Sequence, residues 1–348
     1  MKSIIIISVL LLALCPALAR IPGRYANQSA EWFKTDEGRR IADNVLTWQS
    51  PHGSWPKNGD TASRPYTGDK DKLEGTFDNS ATTGELRFLA SAFKATNEPR
   101  YQQAFLRGLD HIFEAQYANG GWPQFFPLSS RYHRHITFND GTMINLMVLL
   151  QEIARGDSSC DFLDAERRKK AEAAIARGVD CILKTQIKQK NGQLSVWCAQ
   201  YNEETLAPAW ARAYEPPSLS GAESVGVVRF LMSVEKPTPE IVTAVEGSVA
   251  WFKQVAIHGY RFEEFNDANG MEDKRIVADA KAGLLWARFY ELDSNRPMFL
   301  DRDSVVRYSL AEVGQERRGG YDWYGGWAER LLVTEYPEWR SKHRLSER

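Results

Sequence analysis

Four stretches of the chain place chemistry-bearing side chains at comparable points. "TFDNSATTGELRFL" (76–89) and "TFNDGTMINLMVLL" (137–150) align without a gap and begin 61 residues apart. Each runs Thr, Phe and then an Asp and an Asn, in opposite order: Asp78 and Asn79 in the first, Asn139 and Asp140 in the second. "WARAYEPPSLSGAES" holds Arg212 among Trp210, Tyr214 and Glu215 and closes on two prolines; "VADAKAGLLWARF" carries Asp279, Lys281 and Arg288. Asp and Asn before a helix are preferred caps, because their oxygens accept the free backbone N–H groups. Two such pairs brought to one place also make a hard, oxygen-rich site suited to Ca²⁺. The positive partial charge of a helix N-terminus opposes a cation there, so the carboxylates or an anionic ligand must outweigh it. Arg212 is likewise open to two readings: stacked on a ring and paired with Glu215, or facing a ligand.

Other candidates carry weaker patterns. His133 and His135 in "RYHRHITF" lack the Glu-flanked, four-residue spacing of a metal pair, which favours polar contacts or capping. Cys198 has no base beside it in sequence and reads as a buried, inert thiol. Arg288 and Arg302, with Lys281 and Arg134 behind them, are open to two readings: solvated or paired, with Asp301 or Asp303 able to satisfy Arg302, or a set of arginines around bound metal that offers fork-shaped donors to carboxylated sugars. The Gly pairs at 120–121 and 319–320 read as turns, and no nucleotide loop, zinc-protease motif or serine-hydrolase elbow is present.

Something must bring these distant stretches together, and a repeat does so. Gln49, Gln116, Gln186, Gln254 and Gln315 each follow a helical pattern and precede a glycine-containing turn with an aromatic nearby, at intervals of 67, 70, 68 and 61 residues. A fixed period of this kind points to a repeat architecture. Between the glutamines, "SAEWFKTDEGRRIADNVLTWQ", "EPRYQQAFLRGLDHIFEAQ" and "DAERRKKAEAAIARGVDCILKTQ" have apolar residues at three- and four-residue spacing. "NSATTGELRFLASAF", "GTMINLMVLLQEIA" and "AESVGVVRFLMSV" read as buried helices, the last with Ser220 and Glu223 at capping-box spacing. One amphipathic and one apolar helix per repeat predicts an all-α fold: an α/α toroid, or incomplete α/α barrel, of helical hairpins around a central groove. An open solenoid is the alternative. Asp78, Asp140, Arg212 and Asp279 lie 29, 24, 26 and 25 residues after their glutamines, a register that converges them on one mouth.

Composition bounds the partners. Residues 1–19 read as a cleavable export signal, with Lys2, an apolar run and "ALA" before the cut, leaving 20–348 as a single domain that is periplasmic or secreted. The whole chain has a formal charge of −1, so neither nucleic acid nor a membrane surface is an expected partner, and a monomer is expected. Cys160, Cys181 and Cys198 are an odd set after the signal, and the first two bracket a long helix, which argues against a disulfide between them.

Taken together, "GSWPKN", "TFDNSATTGELRFL", "GGWPQFFP", "RHITFNDGTMINLM", "WARAYEPPSLSGAES" and "GGYDWYGGW" resemble the pectate lyases of polysaccharide lyase family 10 over roughly residues 30–335. The resemblance implies an α/α toroid that cleaves polygalacturonate by β-elimination with Ca²⁺. It implies Asp78, Asn79 and Asp140 as metal ligands, Arg212 as Brønsted base, and Arg288 and Arg302 as uronate binders, with Trp210 and Tyr214 lining the substrate side and holding the base. Two rivals remain from residues alone: a glycoside hydrolase on the same toroid, using a pair of carboxylic groups, and a toroid that binds acidic polysaccharide without turnover.

Overall fold

The computed structural model describes Tyr25, residues 28–157 and residues 159–345; the expected export signal lies outside these. The amphipathic stretches form an outer layer: α1 (Ala30–Lys34), α2 (Asp36–Thr47), α4 (Pro99–Ala115), α6 (Ala165–Thr185) and α8 (Pro239–Gln254). The apolar stretches form the inner layer: α3 (Thr83–Thr96), α5 (Thr142–Arg155) and α7 (Glu223–Met232). Inner helices pack on one another in chain order, as do outer helices, which gives the helical-hairpin toroid.

Local chemistry sets the boundaries. The first amphipathic stretch is two helices rather than one, because Thr35 leaves the helix and caps α2, its Oγ1 accepting from Gly38 N at 3.1 Å. Glu85 closes a capping box on Thr82 at the start of α3, accepting from its backbone N at 2.9 Å. Proline fits the first turns of α4 and α8, where an N–H would be unpaired anyway. The face of α5 buried by Met143, Leu146, Met147, Leu150 and Ile153 has the spacing of a core helix.

The repeat has a physical cause. Gln49 Nε2 donates to Gly53 O in its own turn (2.9 Å) and to Ala104 O in the next outer helix (2.8 Å). Gln116 does the same with Gly120 O (3.0 Å) and Ala174 O (2.9 Å), and Gln186 with Ser195 O (2.8 Å) and Ala244 O (2.9 Å). One amide thus pins each turn to the following hairpin, satisfying carbonyls that would otherwise be buried unpaired. Gly53 and Gly120, at φ of 102° and 93°, are required here: a Cβ would stand 2.6 and 2.0 Å from the carbonyl oxygens of Arg107 and Arg177. A tryptophan follows each turn, and the indoles of Trp55, Trp122 and Trp197 donate to Val45 O, Ile112 O and Ile182 O near the ends of the preceding outer helices.

Past α8 the register changes. Gln254 is exposed, and the stretch expected to begin a fourth inner helix forms strands instead. A hairpin of β1 (Tyr260–Asn266) and β2 (Glu272–Ala278) turns at "DANG", and Asp279 ends it, paired with Arg261 at 3.6 Å. Arg288, expected inside a helix, sits between two short strands, Trp286–Ala287 and Phe289–Tyr290. Trp286, Phe289 and Tyr290 are all buried, and the strands pair with Tyr324–Gly325 and Leu219–Ser220. A dense run of aromatics fits strand pairing better than a helix here. The outer helix α8 instead contacts a turn of π-helix (Leu331–Glu335) leading into α9 (Tyr336–His343). Cys160, Cys181 and Cys198 are buried and free, and burial pushes the Cys181 and Cys198 thiols up to about 12, which leaves them inert.

Candidate active site

The two Asp/Asn turns are built alike. Phe77 N donates to Gln124 O at 3.0 Å, and Phe138 N to Ala199 O at 2.8 Å, so each turn hangs from the loop of the next repeat. Asp78 N donates to Thr76 Oγ1 at 3.1 Å and Asn139 N to Thr137 Oγ1 at 3.2 Å. The following residues, Asn79 and Asp140, are left-handed, with φ of 55° and 51°. The reversed order therefore has a meaning: Asp78 and Asn139 occupy the buried place, and Asn79 and Asp140 the more open one. Asn and Asp tolerate this conformation better than other side-chain-bearing residues. The turns pack against each other, and Asn145 Nδ2 donates to Ser80 Oγ across them at 3.2 Å.

Charge is concentrated at this contact. Asp78 is 1% exposed; Lys57 Nζ donates to its Oδ2, while Oδ1 has no hydrogen-bond partner among the described residues. Asp140 reaches solvent but stands among protein walls; burial, then the charges of Asp78 and Glu223, push its carboxyl up to about 6. Asn139 Nδ2 donates to its Oδ2 at 2.9 Å. An unpartnered buried carboxylate oxygen beside a second carboxylate held against its ionisation is a place where a cation would be stabilising. Among the described residues no cluster of three or more His, Cys, Asp or Glu forms a complete metal cage, so the protein offers a partial set of oxygens.

The arginines stand around these turns. Arg212 meets Glu215 with two parallel bonds, Nε to Oε2 at 2.8 Å and Nη2 to Oε1 at 2.5 Å, and its backbone N donates to Oε2 at 3.1 Å. Its guanidinium also lies 5.2 Å from the Tyr214 ring centre. Burial works to lower the Arg212 pKa, but the hydrogen bonds and charge of Glu215 outweigh it and hold the guanidinium firmly protonated. The structural and ligand-facing readings of Arg212 are thus compatible, and in this arrangement Glu215 secures its proton. Arg288 donates from Nη1 to Glu223 Oε1 at 2.6 Å and from Nε to Asp322 O at 2.9 Å, over the rings of Tyr321 and Trp327. Burial works to lower its pKa, but Glu223, Tyr321 and Asp140 outweigh it and raise it, leaving a stable cation. Both Arg212 and Arg288 act electrostatically on Asp140, which places the three groups in one neighbourhood.

Arg302 is exposed and paired with Glu316 at 2.9 Å, with its guanidinium 5.8 Å from the Tyr214 ring. Tyr214 is buried and takes a third guanidinium, that of Arg317, at 4.4 Å. Trp210, by contrast, is 45% exposed. His135 and Arg134 pair with Glu203 (3.0 Å for the His135 Nδ1 contact), in keeping with polar rather than metal-binding roles.

Lys57, Glu223 as a site carboxylate and Tyr321 were not singled out by their types and spacing. Lys57 and Tyr321 do sit inside quoted phrases, "GSWPKN" and "GGYDWYGGW". Glu223 was masked by its capping role: Ser220 Oγ accepts from its backbone N at 3.0 Å and donates to its Oε2. A cavity of about 560 Å³ opens nearby, walled in part by His52, Glu74, Phe125, Arg131 and His133, and Asp78 and Lys57 both act on the charge of His133.

Residues 49–332 match the family model described as pectic acid lyase. The chain belongs to the pectic acid lyase family. Two solved structures agree with this membership. One is a family 10 polysaccharide lyase from Cellvibrio cellulosa, 36% identical, with a TM-score of 0.79, covering 90% of this chain and 96% of its own. The other is a mutant family 10 polysaccharide lyase from the same organism in complex with trigalacturonic acid, also 36% identical at a TM-score of 0.79, covering 88% of this chain and 96% of its own. No curated protein matches the chain. A family member with this fold is a pectate lyase, and the hydrolase and binding-only readings give way to it.

Proposed function

We propose that this pectate lyase opens polygalacturonate at the mouth between the Asp78 and Asp140 turns by calcium-assisted β-elimination, with Arg212 taking the proton from C5. The observation that carries the reading is the juxtaposition of opposite demands: carboxylates that call for a cation, and arginines that call for an anion. Asp78 Oδ1, lacking a partner, and Asp140, with its ionisation opposed, support a calcium site shared with Asn79. A partial oxygen set suits a metal whose remaining ligands come from substrate carboxylate and water. When bound, calcium would neutralise the uronate carboxylate and acidify the adjacent C5–H.

The chain's own residues do the rest. Arg288, fixed by Glu223 and Asp322, is a preorganised cation for charge developing on the uronate. Arg302, exposed at the rim, would bind a neighbouring uronate after exchanging Glu316 for it. Trp210, exposed, would serve as a sugar platform, and the adjoining cavity leaves room for a polymer. Arg212 keeps Nη1 clear of hydrogen bonds to the described protein, since Nε and Nη2 are spent on Glu215. Every cation gathered at the mouth favours its neutral form and works against Glu215. The departing C4 oxygen takes its proton from solvent. Mutating Arg212 to Ala and following unsaturated-product formation and trigalacturonate binding together tests the assignment: binding should persist while turnover collapses, and near-normal turnover would refute it.

We further propose that the protein acts outside the cytoplasm as a monomer. The composition of residues 1–19 supports export, and a mature domain running from residue 20. Amino-terminal sequencing of the protein recovered after export tests the cleavage point.

A further inference from the structure

Glu215 accepts four hydrogen bonds: three from Arg212 and one from the Tyr321 hydroxyl, at 2.9 Å on Oε1. It is 3% exposed, and its bonds to Nε and Nη2 leave Arg212 one side-chain nitrogen, Nη1, without a hydrogen bond among the described residues. Tyr321 arrives from the far end of the chain and packs edge-on against Tyr214, with ring centres 5.4 Å apart. It also lies beneath Arg288, whose guanidinium carbon is 5.0 Å from its ring centre. Resting on the reading of Arg212 as the base, we infer that Glu215 and Tyr321 form a positioning couple that aims Nη1 of Arg212 at the mouth and sets the pH at which the enzyme turns over.

Each member acts with a definite sign. The Glu215 charge favours protonated Arg212, so it raises the pH needed for proton abstraction. Tyr321 donates to the same oxygen that meets Nη2, so it draws off part of that charge and partly releases Arg212. The couple is thereby a compromise: Glu215 supplies aim at a cost in basicity, and Tyr321 returns some of it. Other titratable and charged groups around the pair are Tyr132, Asp140, Tyr214, Glu223, Arg288, Arg302 and Arg317. All of them persist in the variants below, so their contributions cancel in the comparison.

The test is the pH dependence of kcat for Glu215→Gln and Tyr321→Phe against the wild type, with KM and trigalacturonate affinity measured alongside. Gln keeps an acceptor for the guanidinium but removes the charge. The acid limb of kcat should move to lower pH by about one unit or more, while maximal kcat falls about tenfold through looser aim. Tyr321→Phe should move the same limb the opposite way, to higher pH by roughly half a unit. Affinity should change by less than about threefold in both. Limbs that stay put, or that move in the same direction, overturn the inference and leave a structural role only. Absence of unsaturated product from the wild type would instead overturn the lyase mechanism, and retained turnover in an Arg212→Ala enzyme would overturn the base assignment.

Discussion

Glu215 binds Arg212 through both carboxylate oxygens and is itself held by Tyr321, so Arg212 is a fixed, protonated fork. That relationship makes Arg212 rigid before substrate arrives, and under the proposed mechanism it postpones any basicity until cations accumulate around it. Replacing it with Ala should cut turnover by about three orders of magnitude, within the range expected for loss of a positioned base. Trigalacturonate affinity should change only a few-fold. Lysine in its place should recover little, because a point charge cannot reproduce the parallel bonds to Glu215.

Arg288 and Arg302 should behave differently when each is changed to Ala. Arg302 is exposed, and its pair with Glu316 contributes little to folding. Its loss should raise KM several-fold with kcat nearly intact. Arg288 is closed in by Glu223, Asp322 O and two rings, so its removal strands Glu223 beside Asp140. Both kcat and thermal stability should fall, and steady-state kinetics with a melting curve separates the two cases.

The repeat amide makes a stability prediction. Gln186 Nε2 donates to Ser195 O, Ala244 O and Ser248 Oγ from a buried position. Gln186→Ala should destabilise the protein by about 2–3 kcal/mol in urea unfolding, the cost of leaving buried acceptors unpaired. Gln254→Ala, at an exposed position of the same sequence register, should change it by less than about 0.5 kcal/mol.

That contrast shows where the sequence was informative. Gln49, Gln116 and Gln186 recur because each solves the same hydrogen-bonding problem, so their period reports true structural equivalence and predicts the three inner helices. Gln254 shares the spacing without the job, Gln315 donates instead to Glu272 O in the hairpin at 2.6 Å, and the inner helix placed by analogy after Gln254 is a β-hairpin. Asp78 and Asp140 were legible as a pair for the same reason: their turns hang on equivalent loop carbonyls. Glu223 and Tyr321 were not, because their roles depend on Arg288 and Glu215, partners brought near only by the chain's return past the hairpin. The protonation of Arg212 was also out of reach, since it depends on a bond geometry that spacing does not specify.

Acid stability should depend on His111, which is buried between the rings of Phe77 and Phe126 beneath the Asp78 turn. Burial, assisted by the charge of His52, depresses its pKa to about 4. The folded protein therefore favours the neutral ring, while the unfolded chain takes up a proton near its ordinary value. Stability from this group is full above about pH 6.5 and is lost as pH falls toward 4, amounting to about 2 kcal/mol between pH 7 and pH 5. Urea unfolding at those two pH values should show His111→Asn losing less than the wild type by about that amount.

The most direct test of the central claim is ultraviolet absorbance of a polygalacturonate digest, followed with added calcium and again with a chelator. Elimination at this mouth predicts a steady rise from the unsaturated product that stops with the chelator, returns on excess calcium, and is abolished when Asp78 and Asp140 are both changed to Ala. Release of reducing ends without that absorbance, or a rise indifferent to the chelator and to both aspartates, would contradict the account.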